Sequence, residues 1–147
     1  MTRDEATAAV RTAKEDRGLS WGELAVAVGR SPVWTTAALL GQATMGPDEA
    51  QRAVEALGLG PEVGRVLTRS PMKGSLKTSV PVDPLIYRFH EIVQVYGTTI
   101  KELIHEEFGD GIMSAIDFEM TIARKPDPEG DRVVVTLDGK FLHYRVW

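Results

Sequence analysis

Apolar and polar residues follow two different rhythms along this chain. Through residues 1–70, apolar or small side chains recur at helical spacing in short blocks, each closed by a glycine and reopened by a capping residue or a proline. Thr2 to Arg17 predicts a first helix ending at Gly18. Ser20-Trp-Gly-Glu23 is a capping box that opens a helix through Val28, closed by Gly29. Ser31-Pro32 opens a third, because proline in the first helical position loses no hydrogen bond, and this helix runs to Leu40 and stops at Gly41. Pro47 begins a fourth helix to Leu57, and Pro61 a fifth.

Between Arg69 and Asp83 the periodicity lapses into Ser, Pro, Gly and Lys, the composition of a linker. Asp83-Pro84 is again a cap followed by proline, and predicts a helix to Tyr96 that Gly97 ends. A further helix, Thr98 to Phe108, leads into the turn Gly109-Asp-Gly111. The period then changes from helical to two. Ile116, Phe118, Met120 and Ile122 alternate with Asp117, Glu119 and Thr121, as in a half-buried strand. Pro126-Asp-Pro-Glu-Gly130 interrupts it, and two more strands, Arg132 to Leu137 and Lys140 to Val146, flank Asp138-Gly139, a hairpin signal. The fold class expected is α+β: an all-α, helix-turn-helix-like bundle over 1–70, a linker over 71–82 and a small α+β unit over 83–147. So small a unit has reason to oligomerise.

Composition narrows the functional classes. A chain of 147 residues with 43% hydrophobic side chains can build a core without staples. It contains no cysteine, which removes disulfides, thiolate metal sites and a cysteine nucleophile together. Charges every few residues near the N-terminus leave no apolar core for a secretory signal, and no apolar run approaches the ~20 residues that span a bilayer. A soluble cytoplasmic protein without membrane partners is therefore expected. The net charge of −4 has the wrong sign for life on phosphate backbones. Residues 20–40 have the outline of a helix-turn-helix, yet Ser31-Pro-Val-Trp-Thr-Thr-Ala-Ala-Leu-Leu40 offers no charged or amide side chain to base edges, so nucleic acid is not an expected partner.

Generic catalytic motifs are missing: no phosphate loop, GxGxxG, HExxH or nucleophile elbow occurs. His90, His105 and His143 lack metal-ligand spacing, so no metal site is expected. Ile86-Tyr-Arg-Phe-His-Glu91 is the notable stretch, because Arg88 and Glu91 stand three apart and share a helix face. Spacing alone is better explained by an ordinary surface ion pair. Gly109-Asp-Gly-Ile-Met-Ser114 can likewise be a plain connection whose hydroxyl satisfies local backbone.

Several of these stretches, in order, resemble the cyanase family. Asp83-Pro-Leu-Ile-Tyr-Arg-Phe-His-Glu91 with Gln94-Val-Tyr-Gly-Thr-Thr99 is similar to its C-terminal domain. So are Phe108-Gly-Asp-Gly-Ile-Met-Ser-Ala-Ile116, Asp127-Pro-Glu-Gly130 and Leu137-Asp-Gly-Lys140. Leu19-Ser20 and Thr36-Ala-Ala-Leu-Leu-Gly-Gln42 extend the likeness to the helical half, which in that family is a λ-repressor-like bundle not known for binding DNA. His90 and His143 depart from the family pattern, which has tyrosine at the first position and, in many members, proline at the second. The resemblance implies a lyase that decomposes cyanate with bicarbonate as co-substrate and needs no cofactor. It implies Arg88, Glu91 and Ser114 as catalytic residues, and a homodecamer built from dimers with sites between subunits. Two other readings compete: a helix-turn-helix transcriptional regulator with a C-terminal oligomerisation unit, and a scaffold that has lost its reaction.

Overall fold

The computed structural model describes residues 1–147 and divides into two compact units, Met1–Ser75 and Leu76–Trp147. In the first unit the local signals form as read. Helix α1 (Arg3–Asp16) and α2 (Trp21–Val28) each start with a reciprocal capping box, Thr2 with Glu5 and Ser20 with Glu23. Ser31 caps α3 (Pro32–Leu39), whose end lies one residue before the expected Leu40. Helices α4 (Pro47–Leu57) and α5 (Pro61–Leu67) both begin with proline. The glycines that close α2 and α4, Gly29 and Gly58, have φ of 80° and 63°, a left-handed conformation that costs other residues a Cβ clash.

The five helices close over a core in which Val10, Leu24, Leu39, Leu57, Val63 and Leu67 are fully buried. Each such side chain stabilises the unit by about 1.5–3 kcal/mol relative to leaving it in water. Polar ties brace the same unit. Glu49 accepts from the Gly46 amide at 2.7 Å and pairs with Arg30, while Arg52 donates to the Val28 carbonyl at the end of α2.

The second unit departs from expectation in three places. Asp83 caps its helix by accepting from the Leu85 and Ile86 amides, both at 3.0 Å, but α6 runs unbroken from Pro84 to Phe108. Gly97 does not end it. Glycine costs only about 1 kcal/mol inside a helix, and Gly97 keeps negative φ, so helix formers on both sides carry the segment through. Two strands form instead of three, β1 (Gly111–Lys125) and β2 (Arg132–His143), paired antiparallel. Their turn is Asp127-Pro-Glu-Gly130, where the Asp127 carboxylate accepts from the Glu129 amide and, at 3.1 Å, from Arg132. Asp138-Gly139 is not a turn: both residues pair within the ladder, opposite Glu119 and Phe118. The half-buried alternation is the third departure, since Phe118 and Met120 are partly covered while Ile116 is 97% exposed. No residue of α6 is buried within the chain.

Candidate active site

Arg88 stands one turn inside α6, on backbone that the Asp83 cap and Pro84 hold from the helix start. Its Nη1 donates to Glu91 Oε2 at 2.8 Å and its Nε to the Pro84 carbonyl at 3.3 Å. The guanidinium also lies 5.3 Å from the centre of the Tyr87 ring. These contacts fix its plane. With side chains 60% and 46% exposed, the ion pair contributes only tenths of a kcal/mol to stability in one chain, about 0.2–1 kcal/mol at most. Its chemical use is different. Nη2 donates to nothing in the chain, so an oriented pair of N–H groups is left for an anion. His90 packs against Tyr87 and meets Gln94.

Ser114 lies on β1 in an interruption of the ladder. Met113 pairs with Phe141 and Phe118 with Gly139, so Ser114 to Asp117 bulge out opposite Lys140 alone. The bulge frees backbone amides, and Ser114 Oγ accepts from two of them, Ile116 N at 3.0 Å and Asp117 N at 2.9 Å. Both lone pairs are then used, and the hydroxyl hydrogen remains to donate. Ser114 is 6% exposed. Beside it, Lys140 and Asp117 form an ion pair at 3.8 Å across the bulge.

The approach to Ser114 is anchored at the end of α6. His105 Nε2 meets the Gly111 carbonyl at 3.1 Å, with Lys101 Nζ 3.1 Å from its Nδ1. A carbonyl can only accept, so Nε2 carries the proton. Phe108 and Phe141 stack nearby, with centroids 5.2 Å apart. Within one chain Arg88 and Glu91 are brought together, whereas no hydrogen bond or ion pair joins either of them to Ser114. Sequence reasoning gave His105 and Lys140 no part in the site and read Gly139 only as part of a hairpin turn. Only Leu137-Asp-Gly-Lys140 stood out as a pattern. No cluster of His, Asp or Glu able to hold a metal ion is present, and no helix is long and apolar enough to cross a membrane.

The comparisons with known proteins agree across both halves. Residues 3–71 match the family model "Cyanate hydratase, N-terminal" and residues 78–146 match "Cyanate lyase C-terminal domain". Cyanate hydratase of Mycolicibacterium vanbaalenii is 59% identical, covering 98% of this chain and 94% of that protein. The cyanate hydratases of Cupriavidus necator and Thiobacillus denitrificans are 54% and 56% identical over the whole of both chains. A crystal structure of cyanase from T. urticae superposes with a TM-score of 0.83 at 39% identity, covering 94% of this chain and 96% of that one. These similarities leave the regulator reading without support, and the chain belongs to the cyanate hydratase family of lyases.

Proposed function

We propose that this chain is a cyanate hydratase that joins cyanate to bicarbonate, and that Arg88, Glu91 and Ser114 carry the reaction. A bicarbonate oxygen attacks the cyanate carbon while the bicarbonate's own proton and one further proton reach the cyanate nitrogen. The mixed intermediate loses carbon dioxide and leaves carbamate, which takes up a second proton and falls apart to ammonia and carbon dioxide.

The activity rests on family membership over both halves of the chain. The observation that carries the chemistry is the Arg88 guanidinium, held by Glu91 and Pro84 with Nη2 unspent. Two unit anions at 4 Å repel by about 4 kcal/mol at an effective dielectric near 20. A fixed planar cation offsets that repulsion and binds a carboxylate-like anion at two points, which a lysine cannot do. Ser114, with its lone pairs committed to backbone, adds a neutral donor that is oriented before substrate arrives. Glu91 orients Arg88 through the 2.8 Å bond.

The site is completed by a second copy of the chain, in an assembly we take to be a decamer built from five dimers. Two features support this reading. Leu85, Phe89, Ile92, Val93, Tyr96 and Ile100 on α6 are all exposed in one chain, an apolar face that a helix in water does not leave bare. Arg88 and Ser114 also make no polar contact with each other within the chain.

The decisive experiment measures ammonia released from cyanate by the purified protein, in carbon dioxide-depleted buffer and after bicarbonate is restored. Ammonia should appear only with bicarbonate. Activity indifferent to bicarbonate would overturn the mechanism, and no activity in either buffer would overturn the function.

A further inference from the structure

The Asp138-Gly139 pair looks like a turn in sequence and is not one in the structure, which leaves its glycine to be explained. Gly139 does not have the positive φ that makes glycine necessary elsewhere, so its backbone suits any residue. Space is what excludes a side chain. A Cβ built there would overlap the carbonyl oxygen of Ser114 and lie 2.6 Å from Met113 Cγ, nearer than real Cβ contacts come. The methionine side chain could move aside. The Ser114 carbonyl could not, because it belongs to the bulge that Ser114 Oγ closes through the Ile116 and Asp117 amides.

We infer that Gly139 is a positioning residue for the reaction: its missing side chain lets β2 pass beneath the Ser114 carbonyl, and that close approach sets the bulge that aims the Ser114 hydroxyl. The register shows the same dependence. Gly139 is the partner of Phe118, the first residue to rejoin the ladder after the bulge, while Phe141 pairs with Met113, the last before it. Four residues of β1 are therefore accommodated against Lys140 by the two pairs that flank it. Pushing the strands apart at residue 139 moves one end of the bulge and rotates the hydroxyl within it. This inference rests on the reading of Ser114 as a substrate-contacting residue, and the test separates the two.

The test is a double-mutant cycle on the assembled enzyme with Gly139→Ala and Ser114→Ala, reading kcat and KM for cyanate and bicarbonate separately. Each single variant should lose more than about tenfold in kcat, and the double variant should be within about twofold of Ser114→Ala, because a misplaced hydroxyl and a deleted one are the same loss. Multiplied losses in the double variant, or normal kcat in Gly139→Ala, would overturn the inference. Normal kcat in Ser114→Ala would instead overturn the role given to Ser114. A companion protein, Gly139→Ala with Met113→Ala, removes the side-chain overlap and keeps the backbone one. Should Gly139→Ala fail to assemble, the cycle is run in this companion with the same expectation, and failure of both to assemble would make Gly139 a folding requirement and sink the proposal. Recovery of kcat in the companion would also sink it, by showing that Met113 packing and not the Ser114 carbonyl was disturbed.

Discussion

Mixing two inactive proteins tests whether the site is shared between chains. In α6 the rise of 1.5 Å per residue puts Arg88 about 26 Å from His105, measured along the axis. His105 holds the Gly111 carbonyl, and Ser114 lies three residues further on, a reach of about 11 Å at full extension. Even if β1 doubled straight back along the helix, that reach would leave Ser114 about 15 Å short of Arg88, because the polar tie between β1 and α6 sits at the far end of the helix. With the two residues drawn from different chains, Arg88→Ala and Ser114→Ala proteins denatured together in equal amounts and refolded should regain activity. A site then needs its Arg88 from one parent and its Ser114 from the other, which random assembly satisfies at about one site in four. The assay is ammonia release per subunit, compared with wild type refolded in the same way. Parents refolded separately and then mixed should stay inactive while subunits do not exchange. Mixed oligomers demonstrated by differently tagged parents, yet devoid of activity, would refute the shared site.

Arg88→Lys keeps the charge but offers a point donor in place of an oriented fork, so turnover should fall by at least about tenfold, and near-normal kcat/KM would refute the two-point role. The Glu49 carboxyl is held below its ordinary range, first by the Gly46 amide and then by Arg30. A lowered folded-state pKa adds stability that is present above the unfolded carboxylate pKa and lost as pH falls through the folded value. Glu49→Gln should therefore cost the helical unit about 1–2 kcal/mol near pH 7 in urea unfolding, with the gap closing as pH falls below the ordinary carboxylate range, and a gap independent of pH would contradict this. Thr35 is fully buried and its hydroxyl has no hydrogen-bond partner. Thr35→Val keeps the shape and removes the unsatisfied group, so the protein should gain about 1 kcal/mol, and a loss of that size in the same unfolding assay would show that the hydroxyl is bonded.

Local signals made the helical unit readable residue by residue. Thr2 with Glu5, Ser20 with Glu23, Ser31 before Pro32 and Asp83 before Pro84 all act through bonds within one turn of chain, so sequence alone contains both partners. The same holds for Arg88 and Glu91, whose spacing of three on a helix is enough to bring them to 2.8 Å. Glycine is where the reading failed, because the residue permits several things and requires none of them. Gly97 was expected to end a helix and is simply carried inside α6, and Gly139 was expected in a turn and lies in mid-strand. Which use a glycine serves depends on what stands against it in space: nothing but Val93 within 4 Å of a Cβ at Gly97, and the Ser114 carbonyl at Gly139. Sequence by itself thus determined the caps, the helices of the first unit, the family pattern and the Arg88–Glu91 pair. Only the tertiary structure decided the length of α6, the two-stranded ladder and the bulge that holds Ser114, since each depends on atoms brought together from distant parts of the chain.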